Sequence, residues 1–163
     1  MDESLSLRPI SPADDAFLAR VYASSRAQEL ALTDWSEQTK ADFCRSQFDA
    51  QRAYYGENYP KASFQIIERE GWPVGRLYVD RWENEIRIVD ITLLPEFRGS
   101  GIGTKLLQEL KDEARRAGKA LTIHVERFNR ALALYQRLGF RQIEDKGVYL
   151  LMEWRPSSLQ LSS

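Results

Sequence analysis

The chain has 163 residues, of which 43% are hydrophobic and 29% are charged, and its formal net charge is −1. These values are typical of a globular domain, and they exclude a strongly basic surface, so we expect neither nucleic acid nor a membrane as partner. The apolar runs are too short to cross a bilayer, no apolar signal segment follows the acidic N-terminus, and the single cysteine, Cys44, excludes an intramolecular disulfide. We therefore expect a cytoplasmic protein with a single domain at residues 1–156 and a frayed polar tail at 157–163.

The first third of the chain predicts one strand followed by two helices. Alternating apolar and polar residues mark the strand. Ser11 suits a helix N-cap, Pro12 suits the first helical position, and acidic residues follow in the first turn. The predicted segments are a strand at Leu5–Arg8, a helix from Ser11 that ends between Ser24 and Gln28, a loop at Glu29–Trp35, a helix from Ser36 to about Tyr55, and a turn at Gly56–Pro60.

The rest of the chain predicts strands joined by short turns and interrupted by two helices. The predicted segments are strands at Ser63–Glu68, Val74–Val79 and Glu85–Leu93, a helix that starts at Ile102 and is closed by Gly118, a strand at Leu121–Val125, a helix with Ala131, Leu134, Tyr135 and Leu138 on one face, and strands at Phe140–Glu144 and Val148–Trp154. This β-α-α-β-β-β-α-β-α-β-β order predicts an α/β (α+β) fold. We expect a mixed, mostly antiparallel central sheet of about seven strands with helices on both faces.

A glycine-rich turn lies between the third of these strands and the next helix. It runs Arg98-Gly99-Ser100-Gly101-Ile102-Gly103 and follows Pro95, which ends the strand. Backbone N–H groups at such a helix N-terminus have no Cβ in front of them, and the helix dipole adds partial positive charge. The turn therefore predicts a phosphate or diphosphate site. It lacks the spacing of a dinucleotide fold and the lysine of a P-loop, while a tight connection without any ligand stays open.

Two separated motifs resemble those of the GNAT superfamily of N-acetyltransferases. Arg98-x-x-Gly101-x-Gly103, with its lead-in Leu93-Leu94-Pro95-Glu96-Phe97, is similar to the acyl-CoA diphosphate motif of that family. Asn129-x-Ala131-x-x-Leu134-Tyr135-x-x-x-Gly139-Phe140 is similar to its second CoA-side motif. The resemblance covers about Ile86–Phe140. It implies a GNAT fold and an acetyl-CoA-dependent N-acetyltransferase, in which a bound primary amine attacks acetyl-CoA directly in a ternary complex.

The resemblance implies that the glycine-rich turn holds the CoA diphosphate. Backbone amides would make the contacts, and the missing side chains would leave room for the phosphates. The guanidinium of Arg98 would either assist them or pair with Glu96, and the Thr104 hydroxyl would either donate to a phosphate or face solvent. The candidate diphosphate residues are Arg98, Gly99, Ser100, Gly101, Ile102, Gly103 and Thr104.

The pantetheine arm has its own candidates. The resemblance implies that the backbone of Ile91 and Leu93 pairs with the pantetheine amides as an added strand would, although a plain core strand shows the same residues. Asn129 would form a hydrogen bond to the cofactor arm, and it also suits a helix N-cap. A backbone N–H near Leu93 or Leu94 would stabilise the oxyanion.

Two residues are candidates for proton transfer. The resemblance implies that the phenol of Tyr135 protonates the departing CoA thiolate, while its place on an apolar stripe is equally typical of a core tyrosine. An alkylamine is protonated at neutral pH, so a base, or a carboxylate acting through water, must remove a proton. Asp90 is the best candidate because an unpaired charge is costly in an apolar strand, and an ion pair with Arg76 or Arg87 is the alternative. Weaker candidates are Glu126, Glu85 and Glu68.

The sequence offers no metal-ligand cluster, so we expect no metal. The only histidine, His124, is expected to be a hydrogen-bonded strand residue. Cys44 lies on a helical stripe and is expected to be a small core residue rather than a nucleophile.

The resemblance places the acceptor pocket at the first two helices and their loop. That region holds acids and aromatic rings that suit a cationic amine, although they would equally serve a core or helix caps. They are Glu29, Asp34, Trp35, Tyr54, Tyr55 and Tyr59. The sequence leaves open whether the acceptor is a small-molecule or a peptide amine, and whether the chain forms a homodimer. The alternative function is a non-catalytic acyl-CoA-binding sensor or interaction module.

Overall fold

The computed structural model describes residues 4–157, and within them lie seven strands and four helices in the predicted order. The strands are β1 (Leu5–Pro9), β2 (Ser63–Arg69), β3 (Trp72–Arg81), β4 (Glu85–Leu93), β5 (Ala120–Glu126), β6 (Arg141–Asp145) and β7 (Tyr149–Trp154). The helices are α1 (Asp15–Ala31), α2 (Glu37–Asn58), α3 (Ile102–Ala117) and α4 (Leu132–Arg137).

The strands form one sheet in the order β1-β2-β3-β4-β5-β7-β6. Strands β4 and β5 are parallel, whereas β1 with β2, β5 with β7 and β6 with β7 are antiparallel. The predicted α/β fold with a mixed seven-stranded sheet is thereby confirmed. The chain divides into two compact units, made of the described parts of Met1–Leu77 with Ile91–Gly99 and of Tyr78–Asp90 with Ser100–Ser163. A single domain at 1–156 stays a prediction, and residues 158–163 of the predicted frayed tail lie outside the described residues.

Helix α2 begins where the sequence predicts, α1 begins at Asp15 after a short 3₁₀ turn at Pro12–Asp14, and both helices end later than predicted. Ser11 precedes a 3₁₀ turn that leads into α1, and the Ser36 Oγ accepts the N–H of Thr39 at 3.1 Å, as an N-cap should. The predicted loop from Glu29 and the predicted turn from Gly56 are wrong at their starts, because Glu29–Ala31 and Gly56–Asn58 are helical. Neither segment holds a proline or a left-handed glycine, so nothing in it forces a helix to stop.

The first unit is built on a buried cluster between α1, α2 and β2. Arg45 and Arg52 of α2 lie over the ring of Phe48, with guanidinium-to-centroid distances of 5.4 and 5.0 Å. Both also bind the carboxylate of Asp15, at 2.8 and 2.5 Å. The cluster is thus closed from outside by cation–π contacts and ion pairs. Its members, all at most 5% exposed, are Leu18, Tyr22, Phe48 and Ile66.

A buried carboxylate joins β1 to the start of α1. Asp14 is 7% exposed. Its two oxygens accept hydrogen bonds from the guanidinium of Arg8 at 2.8 and 2.9 Å, and one oxygen also accepts the N–H of Ser11 at 2.8 Å. The bonds from Arg8, and next to them the bond from Ser11, outweigh the effect of burial and lower the pKa of Asp14 from 3.8 to about 2.

This pair predicts a measurable dependence of stability on pH. A carboxyl whose pKa is depressed by folding stabilises the fold above its ordinary pKa and loses that contribution as the pH falls towards the folded value. Asp14→Asn should therefore lower the free energy of unfolding by about 2 kcal/mol at pH 7, and the difference from wild type should shrink between pH 4 and pH 2. Urea unfolding at several pH values measures it, with Asp34→Asn, at an exposed site, as control. A difference that stays constant over this range would contradict the assignment.

The second unit contains the helix predicted after the glycine-rich turn. Helix α3 ends at Gly118, which has a φ of 66° and whose successor Lys119 donates its N–H to the Ala114 carbonyl at 2.9 Å. Predicted strand ends shift by at most two residues. Four residues that were predicted in turns belong to β3, namely Trp72, Pro73, Asp80 and Arg81, and proline is tolerated near a strand start. The buried face of α3 matches the predicted periodicity and consists of Ile102, Leu106, Leu107, Leu110 and Ala114.

Candidate functional site

Strand β4 changes its surroundings along its length. Residues 86–88 are buried, whereas every residue in Val89–Leu93 is half-buried. The parallel register with β5 runs from Glu85↔Ala120 to Ile88↔Ile123, and β4 continues beyond it to Leu93. The change in burial therefore coincides with the end of the register, and the last part of β4 keeps surface that a ligand can reach.

The chain leaves β4 through a 3₁₀ turn and a glycine loop. Gly99 and Gly101 have φ values of 75° and 87°, a region that other residues rarely adopt. Helix α3 follows at once, and the N–H of Lys105 donates to the carbonyl of Gly101, its N-cap, at 3.0 Å. The N–H groups of the residues between them have no acceptor within the helix and point out of its N-terminal end. Because the first turn holds no acidic residue, this end is electropositive and suits an anion.

Gly103 has no reason within the protein to be a glycine. It lies in the first turn of α3, its φ is outside the left-handed region, and a Cβ built on it meets nothing within 4 Å. Glycine inside a helix costs about 0.5–1 kcal/mol relative to alanine. What this glycine preserves is open space beside the electropositive N-terminus.

The Arg98 side chain binds the strand rather than its expected acidic neighbour. Its Nε donates to the carbonyl of Leu93 at 3.2 Å. The alternative pairing of Arg98 with Glu96 is wrong, because Glu96 lies 3.5 Å from the guanidinium of Arg20. Thr104 is half-buried in the first turn of α3, so its hydroxyl stays on the same end of the helix as the open N–H groups.

Tyr135 and Asp90 are brought within electrostatic reach of each other. Tyr135 is 5% exposed in α4, and its ring packs edge-on against Phe140 at a centroid distance of 5.6 Å. Burial raises the pKa of Tyr135 well above its ordinary value, and the negative charge of Asp90 on β4 raises it further. The phenol therefore keeps its proton through neutral and alkaline pH, as a proton donor must.

Asn129 orders the turn that enters α4. Its Oδ1 accepts the N–H of Ala131 at 2.7 Å, and its carbonyl accepts the N–H of Leu132 at 3.1 Å. The N-cap position itself is Ala131, two residues later than predicted. Asn129 is exposed, and its side-chain amide adds a hydrogen-bond donor to this turn.

A buried polar network joins β4 to β5. Arg87 Nε donates to Thr122 Oγ1 at 2.8 Å, and the same guanidinium lies 3.3 Å from both His124 Nδ1 and Glu85 Oε2. The predicted hydrogen bonding of His124 is confirmed; burial, and then the charge of Arg87, lower its pKa. Arg87 is therefore held by three side chains of β4 and β5, namely Thr122, His124 and Glu85.

Two of the weaker base candidates are occupied elsewhere. Glu85 also accepts the Thr122 hydroxyl at 2.5 Å, and Glu68 accepts Arg8 Nε at 2.8 Å. Arg76, the other expected partner of Asp90, donates to Gln51 at 2.9 Å. Glu126, the remaining weaker candidate, is half-buried at the end of β5.

The predicted acceptor residues fall into two groups at opposite ends of α2. Trp35 lies just before the helix and packs on Phe43 at 5.3 Å. The tyrosines Tyr54, Tyr55 and Tyr59 pack edge-on in series at its other end, with centroid distances of 6.1 and 6.2 Å. At 1.5 Å per residue the two groups are about 30 Å apart along the helix. The structure therefore does not bring the predicted set together, and the carboxylate of Glu29 is bound to Arg26 at 3.0 Å.

Within residues 4–157 we also looked at the cysteine thiol, at possible metal ligands and at possible membrane-spanning helices. Cys44 is buried, as predicted, and burial raises the pKa of its thiol. Over the same residues no group of three or more His, Cys, Asp or Glu side chains is placed to hold a metal ion, and none of the described helices is long and apolar enough to cross a membrane.

The sequence analysis missed Gly75, although a glycine inside a predicted strand is itself an indication that another backbone comes close.

Comparison with known proteins agrees with this geometry. A family model described as the Acetyltransferase (GNAT) family matches residues 24–140. An uncharacterized N-acetyltransferase of Methanocaldococcus jannaschii is 34% identical over an alignment of 91 residues, and the match covers 50% of this chain and 40% of that relative. The match thus spans less than half the length of this curated relative.

Solved structures share the fold at low sequence identity. PaiA N-acetyltransferase of Thermoplasma acidophilum, in complex with coenzyme A, has a TM-score of 0.71 at 20% identity, covering 94% of this chain and 99% of that chain. YncA of Salmonella typhimurium, solved with its cofactor acetyl-CoA, has a TM-score of 0.56 at 21% identity, covering 94% of each chain.

Proposed function

The chain belongs to the GNAT acetyltransferase family and is an acyltransferase, and we propose that it transfers the acetyl group of acetyl-CoA to a primary amine by direct attack in a ternary complex. The observation that carries the proposal is the change along β4, whose register with β5 ends at Ile88↔Ile123 and whose following residues are half-buried. Exposed backbone groups of a strand pair readily with an extended ligand that carries amides, as pantetheine does.

The glycine loop supports a place for the CoA diphosphate. In this proposal the N–H groups of Ile102, Gly103 and Thr104, at the N-terminus of α3, donate to the phosphate oxygens. The loop from Arg98 to Gly101 shapes the approach, because its left-handed glycines turn the chain into the helix.

The pantetheine arm lies along the end of β4 in this proposal. The backbone of Ile91 and Leu93 pairs with its amides, a backbone N–H near Leu93 stabilises the oxyanion, and the Asn129 side chain donates to the arm. The N–H of Leu94, the other expected donor, already donates to the Val74 carbonyl at 2.9 Å. Arg98 acts by fixing the Leu93 carbonyl.

Asp90 and Tyr135 carry the proton transfers in this proposal. Asp90 takes a proton from the ammonium, directly or through water, and the free amine nitrogen forms a C–N bond to the thioester carbonyl carbon. The C–S bond then breaks and Tyr135 donates its proton to the thiolate. Of the two protons that the nitrogen loses, one passes to solvent through Asp90 and the other replaces the proton that Tyr135 gives. Once Asp90 is protonated, its charge no longer raises the pKa of Tyr135, so the phenol becomes a better acid when it is needed.

The acceptor in this proposal is a small-molecule or peptide amine. Trp35 is 40% exposed and Tyr54 is 55% exposed, so both ends of α2 offer an aromatic face to a cation. We also assign the protein to the cytoplasm, where a free thiol such as Cys44 stays reduced.

Thiol release from acetyl-CoA with a panel of amines tests the proposed function. The panel contains aliphatic mono- and diamines, free amino acids, a peptide with a free N-terminus, and a lysine peptide with a blocked N-terminus. We expect turnover with at least one class. At subsaturating amine, its rate should change by less than about threefold from pH 7 to pH 9, because Asp90 takes the proton from the bound ammonium, and the ammonium form of an amine with a pKa near 10.4 predominates over this range. Calorimetry with CoA accompanies the assay. Binding of CoA without turnover of any amine would favour the sensor, and no binding at millimolar CoA would contradict both functions.

A further inference from the structure

A glycine lies inside β3 although its own backbone does not require one. Gly75 is buried, and its φ is outside the left-handed region that favours glycine. A glycine in the interior of a strand weakens it, since it has no side chain to pack and loses more conformational freedom on folding. The reason for Gly75 must therefore lie in its neighbours.

The neighbour is the backbone at the end of β4. A Cβ built on Gly75 lies 2.3 Å from the carbonyl oxygen of Thr92 and 3.0 Å from the Cα of Leu93. Both are main-chain atoms, which cannot rotate away as a flexible side chain can. Gly75 is thus the position at which β3 allows the end of β4 to come this close.

Two hydrogen bonds hold the same stretch of β4 on either side of this contact. The N–H of Leu94 donates to the carbonyl of Val74 at 2.9 Å, and Arg98 Nε donates to the carbonyl of Leu93 at 3.2 Å. Leu94 is also buried, at 2% exposed. The end of β4 is therefore held near Gly75 by one main-chain and one side-chain hydrogen bond before the chain enters the glycine loop.

We propose that Gly75 is a positioning residue, which sets the place of the β4 backbone that receives the pantetheine arm of acetyl-CoA. The inference rests on the proposed function, since Ile91 and Leu93 are the residues proposed to pair with that arm. Gly75 itself touches neither substrate. It acts through the position of Thr92 and Leu93.

Gly75→Ala tests this through two ligands. An ordinary contact of the new Cβ begins at 3.4 Å, so the strand must move by about 1 Å, a displacement that elsewhere costs about a hundredfold in catalysis. We expect the Kd for CoA to rise at least tenfold. The Kd for 3′-phosphoadenosine 5′-diphosphate, which carries the diphosphate without pantetheine, should stay within about twofold, because the N–H groups of α3 are not displaced.

The matched control is Gly56→Ala, another glycine in the first unit, which lies in α2 with nothing within 4 Å of a Cβ. It should bind both ligands as wild type does. Unchanged CoA binding by Gly75→Ala, or equal weakening of both ligands in a folded variant, would overturn the inference. If wild type itself bound no CoA, the proposed function would fail instead, so the two failures are distinguishable.

Hydrogen exchange on the wild-type protein keeps the inference testable should Gly75→Ala fail to fold. The Leu94 amide should exchange at least about a hundredfold more slowly than in an unstructured peptide before any CoA is added, because Val74 already accepts it. Exchange at the unstructured rate, with protection only after CoA is added, would show that the end of β4 is not held in advance and would overturn the inference.

Discussion

Gly103→Ala should stabilise the fold and weaken CoA binding at the same time. The new methyl group meets no protein atom within 4 Å, and alanine is the better helix former, so the free energy of unfolding should rise by about 0.5 kcal/mol. The same methyl group occupies the space in front of the N–H groups that we assign to the diphosphate. We therefore expect the Kd for CoA to rise at least about tenfold, a loss of about 1.4 kcal/mol in binding free energy. Urea unfolding and calorimetry with CoA measure the two effects.

The opposite signs make this variant more informative than a change at Gly101. Gly101 has a φ of 87°, so a side chain there strains the backbone and damages fold and binding together. Gly56→Ala is the control, since it gains helix propensity at an open site of α2 and should leave CoA binding unchanged. Binding of CoA by Gly103→Ala with wild-type affinity would show that the space beside α3 is not the diphosphate site.

Tyr135→Phe should lower kcat by about a hundredfold or more and leave the Kd for CoA unchanged, because general acid catalysis typically contributes about 10²–10⁴ in rate. Phenylalanine keeps the edge-on ring contact with Phe140, so the change removes the proton donor and little packing. Burial and Asp90 raise the pKa of Tyr135, and the wild-type rate should therefore show no fall near pH 10 from loss of this proton. Steady-state kinetics at saturating amine from pH 7 to pH 10 measure both effects.

Tyr22→Phe is the matched control for this variant. Tyr22 is also 5% exposed and also packs on a phenylalanine, Phe48, at 6.1 Å, but it lies in the core of the first unit. Loss of the Tyr22 hydroxyl in this control should leave kcat unchanged. If Tyr135→Phe kept kcat within about threefold of wild type, the thiolate would take its proton from water and Tyr135 would be a core residue only.

The sequence predicted best those elements whose limits depend on one local residue. Ser36 is the N-cap of α2 because its hydroxyl oxygen accepts the N–H of Thr39, and Gly118 ends α3 because its left-handed φ suits glycine. The ends of α1 and α2 were predicted too early, because no proline or left-handed glycine marks the end of α1, and Pro60, which follows the C-cap of α2, lies four residues beyond Gly56. The glycine loop was found from sequence for the same local reason, since Gly99 and Gly101 adopt positive φ values.

Features set by residues distant in the chain were not predictable in this way. The partner of Arg98 is the Leu93 carbonyl rather than Glu96, a choice between two neighbours that depends on where Arg20 lies. The acceptor candidates share a composition that suits an amine, yet α2 separates them by its length. Gly75 is required by the backbone of a neighbouring strand, which spacing within β3 alone does not show.

A titration of ¹⁵N-labelled protein with CoA, followed residue by residue through backbone amide shifts, tests most directly whether this loop and this strand end hold the acyl donor. The account predicts saturable binding with the largest shift changes at Ile102–Thr104 and at Ile91–Leu93. No saturable change at millimolar CoA, or changes confined to residues outside these two segments, would contradict it.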